Sequence, residues 1–139
     1  MSEQNKQIVR RYFEELDRRR ATPADLCAAG FTFHVAGLPP MDMDATVRFG
    51  AMFFDALPDL RHPLDALIAE GDTVAFRCRY EGTHTGEALM GVPASGRHIS
   101  MSGIGMMRVA EGKVAEFWVS PDRMTLMQQL GAQVEHASA

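Results

Sequence analysis

The hydrophobic period of the sequence changes after residue 63, and this change constrains the fold more than any other feature. The later part contains four strand-like runs, at residues 64–70, 73–81, 97–109 and 113–120. Short glycine-containing turns at 70–72 and 110–112 join these runs in pairs, and such turns between alternating runs are typical of β-hairpins. The sequence therefore predicts two hairpins that together form one meandering sheet.

Helical spacing dominates before the first hairpin. Residues 3–20 place apolar side chains three and four positions apart, which predicts an amphipathic helix with one buried stripe. The stripe consists of Ile8, Val9, Tyr12, Phe13 and Leu16. We predict a second, short helix at 22–29 and a short strand at 31–35. A third helix at 45–57, capped by Asp44, is predicted to be mostly buried.

A last short helix is predicted after Pro121-Asp122, and Gly131 ends it. Helices that are segregated from antiparallel strands indicate an α+β fold. A long curled sheet needs a cover over its concave face, and the N-terminal helices can supply it, so we expect one pocket between these layers. We expect a single domain over residues 1–139, with a frayed tail after about residue 131.

Composition and charge exclude several classes of function. The chain has 139 residues and a net charge of −4, which provides no general attraction for nucleic acid. No run approaches the ~20 apolar residues of a membrane span and no secretory signal pattern is seen, so we expect a cytoplasmic protein without a membrane partner. Cys27 and Cys78 are predicted to be buried, reduced thiols. Zinc spacings and nucleotide-binding motifs are absent from the sequence, so we expect neither a metal nor a cofactor.

Seven short stretches, spread over nearly the whole chain, carry a further signal. They are residues 8–15, 57–61, 70–74, 82–86 (GTHTG), 91–97 (GVPASGR), 112–118 (GKVAEFW) and 128–131 (QQLG). Together they resemble the SnoaL-like polyketide cyclase family of the nuclear transport factor 2-like and ketosteroid isomerase-like superfamily. The resemblance implies a cone-shaped α+β barrel, in which N-terminal helices pack on a curved antiparallel or mixed sheet and enclose a pocket. It also implies activity on a small organic molecule, although one fold hosts many functions.

The resemblance also implies where catalytic residues would lie. It places an aspartate near the end of the last strand and a histidine on the preceding strand, and those positions hold Val119 and Gly105 here. Neither side chain can transfer a proton, so the aldol-type mechanism does not carry over to this sequence. If both positions face the pocket, strand alternation places Met101, Met107 and Phe117 beside them, which predicts an apolar floor.

Six residues are predicted to bind the substrate through apolar contacts. Methionine side chains are flexible and polarizable, so they suit an irregular ligand, although they also fill hydrophobic cores. The six residues are Met52, Phe53, Met101, Met107, Phe117 and Val119.

Four residues are candidates for catalysis. His34 is expected at the mouth of the pocket, and histidine can accept or donate a proton near neutral pH. Tyr12 in the first helix and Asp122 after the last strand could assist it, although capping the last helix is the simpler role for Asp122. Arg79 and Glu81, two positions apart on one strand, resemble the arginine and carboxylate of limonene epoxide hydrolase-like members of the superfamily.

The leading hypothesis is an enzyme that cyclises or isomerises a polyketide-like or other apolar polycyclic or terpenoid substrate by cofactor-independent acid/base chemistry. The alternatives are epoxide opening on the same fold and a non-catalytic binder of small apolar molecules. In each case we expect a homodimer, because the outer face of the sheet would otherwise expose Trp118. His62, which precedes a proline, and His98 are expected near the surface.

Overall fold

The computed structural model describes residues 2–131, which form three α-helices and five β-strands. In chain order these are α1 (Ser2–Arg19), β1 (Cys27–Val35), α2 (Met43–Ala56), β2 (Leu64–Glu70), β3 (Thr73–Thr83), β4 (His98–Ala110), β5 (Lys113–Pro121) and α3 (Arg123–Leu130). The strands form one sheet in the order β1-β5-β4-β3-β2. β1 runs parallel to β5 and the other neighbours are antiparallel, so the sheet is mixed.

The first helix and both hairpins agree with the sequence prediction. The buried face of α1 consists of Val9, Tyr12, Phe13 and Leu16. At the β4-β5 turn, Glu111 and Gly112 have φ angles of 51° and 78°. A two-residue hairpin turn of type I′ requires this left-handed conformation at both central positions, and the second one is a glycine that adopts it without strain.

The predicted helix at 22–29 is wrong. Only Ala24–Leu26 form a turn of 3-10 helix, and the strand predicted at 31–35 already begins at Cys27. Cys27 is buried and pairs with Val114 of β5, so pairing with the far end of the chain overrides the local capping pattern. Cys27 and Cys78 are free and buried, which confirms the prediction for both thiols.

The second helix differs from the prediction in its cap and in its burial. Asp42 caps α2 in place of Asp44, because its side chain accepts a hydrogen bond from the backbone N–H of Ala45 at 2.9 Å. The buried residues of α2 are only Thr46, Phe54 and Ala56. α2 is therefore an amphipathic cover with one face toward solvent, as the 42% exposure of Met52 shows.

The inner face of the sheet forms the floor of a hydrophobic core under α1 and α2. Gly105 of β4 pairs directly with Val119 of β5. Met101, Met107 and Phe117 are buried on the same face, which confirms the predicted alternation. The helices and the inner face share one core, so the predicted α+β arrangement is confirmed.

The last helix is attached to β4 through a side chain that imitates backbone pairing. Oε1 of Gln129 accepts a hydrogen bond from the backbone N–H of Ser100 at 2.7 Å, and Nε2 donates to the carbonyl oxygen of Ser100 at 2.9 Å. Leu126 and Leu130 bury the inner side of α3, and Gly131 ends it in the left-handed conformation as predicted. The predicted frayed tail lies outside the described residues.

Candidate functional site

A cavity lies between the inner face of the sheet and helices α1 and α2. The volume open to the centres of water-sized molecules is about 110 Å³, several times the roughly 10–15 Å³ that one water molecule requires. Aromatic and aliphatic side chains make up most of the lining. The polar side chains among them belong to Tyr12, Thr22, Thr46, His62 and Tyr80. A mainly apolar lining with a few polar groups is typical of a site for a small organic molecule.

Four phenylalanine rings form one wall of the cavity. They are Phe33 of β1, Phe49 and Phe53 of α2, and Phe117 of β5. The ring centroids are 4.8 Å apart for Phe33 and Phe117, 6.0 Å for Phe33 and Phe49, and 5.2 Å for Phe49 and Phe53. Tilted and edge-to-face contacts at these distances stabilise the wall. The wall exists only once α2 has packed on the sheet.

His62 supplies the imidazole ring among the described lining residues of the cavity. The residue lies between α2 and β2 and is 9% exposed. Its Nδ1 is 2.6 Å from Oδ1 of Asp17 on α1, and its backbone N–H donates to Oδ2 of Asp17 at 2.8 Å. No described residue forms a hydrogen bond with Nε2 of His62.

Tyr12 and Tyr80 supply neutral hydrogen-bond donors. Burial raises the pKa of both hydroxyls far above its ordinary value of 10.0, so both keep their protons at neutral pH. The ring centroid of Tyr80 lies 5.2 Å from that of His62. Gly103 makes this position possible, because a Cβ atom there would lie 2.5 Å from Cε2 of Tyr80.

A second glycine in β4 makes room for Phe76. A Cβ atom on Gly105 would collide with the carbonyl oxygen of Trp118 and would lie 2.7 Å from Cζ of Phe76. The ring of Phe76 therefore crowds the position where the resemblance implied a catalytic histidine. Val119, at the position of the implied aspartate, lines the cavity as an apolar side chain.

Five of the predicted site residues line the cavity. They are Tyr12, Phe53, Met101, Phe117 and Val119. Two residues predicted to bind substrate lie elsewhere: Met52 is on the solvent side of α2, and Met107 is fully buried in the core without lining the cavity. Met52 faces solvent because α2 buries only one side. For Met107 the difference arises because the sequence pattern separates the two faces of a strand but not the filled and hollow parts of one face.

His34 lies on the outer face of the sheet and not at the mouth of the cavity, where it was expected. Strand alternation directs Phe33 and Val35 inward and His34 outward. Nε2 of His34 is 2.8 Å from Oε2 of Glu116, and its ring stacks on Trp118 with centroids 5.3 Å apart. The hydrogen bond with His34 is the main cause that lowers the pKa of Glu116.

Asp122 and Arg79 also lie outside the cavity lining. Asp122 caps α3, since its carboxylate accepts hydrogen bonds from the hydroxyl (2.6 Å) and the backbone N–H (3.1 Å) of Thr125. These bonds lower the pKa of Asp122. Arg79 projects from the outer face of β3 and pairs with Asp65 at 3.0 Å and with Glu81.

His62 and Tyr80 line the cavity but were not predicted as site residues from the sequence. His62 was expected near the surface; it borders a surface cleft, but its side chain is almost fully buried and packs against α1 through Asp17 and Phe13. Asp17 and His62 are 45 positions apart, so no local motif joins them. One signal was present in the sequence: Asp17 follows Phe13 by four positions and therefore borders the buried face of the first helix.

Proton transfer at the cavity has few possible agents within residues 2–131. None of the described lining residues is Asp, Glu, Lys, Arg or Cys. In this part of the chain, no group of three His, Cys, Asp or Glu side chains is arranged to hold a metal ion. His62 and the tyrosine hydroxyls remain as the groups that can exchange a proton with a bound molecule.

The helices described within residues 2–131 are all too short or too polar to cross a lipid bilayer.

Known structures share the fold over almost their full length. AclR from Streptomyces galilaeus, a candidate hydroxylase, has a TM-score of 0.85 at 22% identity, covering 94% of this chain and 98% of that chain. A candidate SnoaL-like polyketide cyclase from Jannaschia sp. CCS1 has a TM-score of 0.84 at 25% identity, with 96% and 95% covered. IdmH from Streptomyces antibioticus, a candidate polyketide cyclase, has a TM-score of 0.81 at 28% identity, with 93% and 99% covered.

These similarities confirm the α+β cone fold of the nuclear transport factor 2-like and ketosteroid isomerase-like proteins. No curated protein matches the sequence. A family model for SnoaL-like polyketide cyclases matches residues 6–130, nearly the whole chain. The chain belongs to the SnoaL-like polyketide cyclase family.

Proposed function

We propose that this chain is an enzyme that cyclises or isomerises a small, largely apolar molecule by cofactor-independent acid/base chemistry. Family membership supports a cyclase or isomerase in general terms. The observation that carries the proposal is His62, a buried histidine held by a carboxylate at the wall of an apolar cavity. In this proposal His62 takes the role that was expected of His34, because His34 lies on the other face of the sheet.

The proposed reaction begins with removal of a proton from a carbon beside a carbonyl group. Nε2 of His62 accepts the proton, the C–H bond breaks, and its electron pair moves onto the carbonyl oxygen. Tyr12 and Tyr80 keep their hydroxyl protons and can donate hydrogen bonds to the oxygen as its negative charge develops. In the cyclising branch the electron pair returns from this oxygen, the carbon bonds to a second carbonyl carbon of the same molecule, the π bond of that carbonyl breaks, and its oxygen takes the proton from Nε2 of His62. In the isomerising branch Nε2 returns the proton to a different carbon of the conjugated enolate, and the first carbonyl group forms again.

The lining supports a polyketide-like, polycyclic or terpenoid substrate. The four phenylalanines of the aromatic wall offer ring faces and edges to a flat or irregular apolar molecule. A fully charged substrate would lose its hydration without gaining an ion pair from the described lining residues, which disfavours it. The Streptomyces and Jannaschia relatives described as candidate polyketide cyclases support the same class of substrate.

The test combines a ligand screen with one substitution. Polycyclic aromatic ketones and terpenoid ketones are screened by thermal shift, and each ligand that binds is incubated with the protein and analysed by liquid chromatography and mass spectrometry. We expect His62→Gln to bind the same ligands and to convert them at least about 100-fold more slowly, because an amide cannot take up the proton. His98→Gln is the matched control, since His98 is exposed and outside the lining.

Two outcomes would contradict the proposal. Equal turnover by wild type and His62→Gln would exclude His62 as the base. Binding of several ligands without conversion of any of them by the wild type would favour the non-catalytic binder.

Epoxide opening through Arg79 receives no support from the geometry, because the guanidinium lies outside the cavity lining and is engaged by Asp65 and Glu81.

We also propose that two copies of the chain associate through the outer face of the sheet. The strand register aligns a largely apolar stripe across all five strands, formed by Ile68, Ala75, Met106, Trp118 and His34. Ile68 is 70% exposed and Met106 is 43% exposed. Arg108 and Glu116 beside the stripe form an ion pair with each other at 3.3 Å, so neither charge needs a partner from the second copy. Two large apolar side chains left exposed on one face, Ile68 and Met106, support an interface there.

A further inference from the structure

Both carboxylate oxygens of Asp17 contact His62. Oδ1 lies 2.6 Å from Nδ1 of His62, and Oδ2 accepts a hydrogen bond from the backbone N–H of His62 at 2.8 Å. An ionised carboxylate can only accept hydrogen bonds, so the first contact requires the ring proton to be on Nδ1. A neutral imidazole carries one proton, and Nε2 is then unprotonated.

We infer that Asp17 is a positioning residue that keeps the imidazole proton of His62 on Nδ1 and thereby presents Nε2 as a proton acceptor at the cavity. The inference deepens the proposed function and rests on it, since that function needs an unprotonated Nε2. Asp17 does not itself line the cavity. Its Oδ1 contacts Nδ1 of the ring and its Oδ2 contacts the backbone N–H of His62. The same carboxylate therefore fixes both the position and the tautomer of the base.

Packing keeps the imidazole ring in this orientation. The side chain of His62 is 8% exposed, and its ring centroid lies 6.2 Å from Phe13, 6.0 Å from Phe54 and 5.2 Å from Tyr80. A ring flip would exchange Nδ1 for a carbon atom beside Asp17 and would leave a buried nitrogen without its partner. Loss of a hydrogen bond at a buried position is unfavourable, so one orientation is stabilised.

The opposite side of Asp17 faces a cleft on the surface of the molecule. Arg10, Glu14 and Pro63 line this cleft together with Asp17 and His62. The side chain of Asp17 is 27% exposed, compared with 8% for that of His62. Glu14 lies one helical turn before Asp17 and forms no hydrogen bond with any described residue, so it offers a matched control on the same helix.

The first measurement is the tautomer of His62 in the wild-type chain. Nitrogen-15 NMR of the imidazole rings distinguishes protonated from unprotonated nitrogens. The chain contains five histidines, and the His62 signals are identified by their loss in His62→Gln. At a pH where the ring is neutral, we expect a protonated Nδ1 and an unprotonated Nε2. A proton on Nε2 in the wild type would overturn the inference, whatever the activity.

Asp17→Asn tests the same point with almost no change in volume. The backbone N–H of His62 can only donate, so the amide oxygen of the asparagine must face it. The amide NH₂ then faces Nδ1 and can only donate to it. We expect the ring proton to move to Nε2 and kcat/KM to fall by roughly 10²–10⁴-fold. An unchanged tautomer in this variant would contradict the inference.

Glu14→Gln removes a neighbouring charge without touching His62, and we expect it to keep the wild-type tautomer and turnover. Circular dichroism establishes that each variant is folded. If Asp17→Asn does not fold, the tautomer of the wild type decides the question alone. If Asp17→Asn moves the proton and turnover is unchanged, the positioning role stands and the proposed role of His62 as the base fails.

Discussion

At the scale of single residues, burial separates histidines that look alike in the sequence. His62 is nearly buried against the cavity, and His34 lies on the outer face with Glu116. His84 is fully buried in the loop after β3, where its Nε2 contacts the carbonyl oxygen of Glu87 at 2.8 Å. The residue type determines which chemistry is possible. The residues packed around each histidine determine whether its ring borders the cavity.

A pH dependence of stability is expected from Asp59. Its Oδ1 accepts a hydrogen bond from the backbone N–H of Thr83 at 2.7 Å, which is the main cause that lowers the pKa of Asp59 below its ordinary value of 3.8. The folded state therefore binds this proton more weakly than the unfolded chain does. The resulting stability is present above the unfolded-state pKa and is lost as the pH falls through the lower pKa of the folded state.

Asp59→Asn should therefore flatten the acid side of the stability curve. We expect a smaller loss in the free energy of unfolding between about pH 7 and about pH 3 than in the wild type, measured by urea unfolding. Asp55→Asn is the control, since that side chain is exposed and forms no hydrogen bond with a described residue. A pH dependence that is equally steep in wild type and Asp59→Asn would contradict the assignment.

At the scale of elements, local patterns predict pairs of strands that are neighbours in the sequence. The β2-β3 and β4-β5 hairpins follow from alternation and from turns at 70–72 and 110–112. β1 behaves differently, because its partner β5 lies more than 80 positions later and runs parallel to it. The capping pattern before Cys27 could not predict that pairing, so the start of the strand was placed too late.

Packing of β3 against β4 depends on the absence of a side chain at Gly105. We expect Gly105→Ala to lower the free energy of unfolding by about 1–3 kcal/mol, because its Cβ would force apart Phe76 and the backbone of Trp118. Gly50→Ala is the matched control: it lies inside α2, its Cβ would meet only Thr22 at 3.4 Å, and alanine stabilises a helix interior by up to ~1 kcal/mol.

Chemical denaturation measures both effects. The two alanine variants should move the midpoint of unfolding in opposite directions, Gly105→Ala toward lower denaturant concentration and Gly50→Ala toward the same or a higher one. A wild-type midpoint for Gly105→Ala would show that β4 can shift to accept the added atom.

At the scale of the whole molecule, the cavity arises from elements that are far apart in the chain. α1 contributes Tyr12 and the carboxylate that holds His62, α2 contributes half of the aromatic wall, and the sheet contributes the floor. The same sheet carries the apolar stripe on its opposite face. One curved sheet thus separates a face proposed to bind a ligand from a face proposed to bind a second copy of the chain.

The proposed homodimer is tested at the centre of the outer stripe. We expect Met106→Lys to convert a dimeric wild type into monomers, because association would bury an unpaired ammonium group at the middle of the interface. Sedimentation velocity measures the change. Met124→Lys is the control, since Met124 is 56% exposed on α3, away from the stripe. A monomeric wild type, or a Met106→Lys variant that remains dimeric, would contradict the outer-face interface.

The sequence by itself determined the α+β class, the hairpins, the buried stripe of α1 and the apolar character of the inner face. These features depend on periods of two and 3.6 residues, which neighbouring side chains express directly. Only the tertiary structure decided which part of the inner face is hollow and which ionisable group reaches it. Asp17 and His62 meet across 45 positions, and Gly105 admits Phe76 from another strand. Such contacts depend on how the layers pack against each other. Hydrophobic periodicity describes only neighbours in the chain, so it cannot predict contacts between residues that are far apart in the sequence.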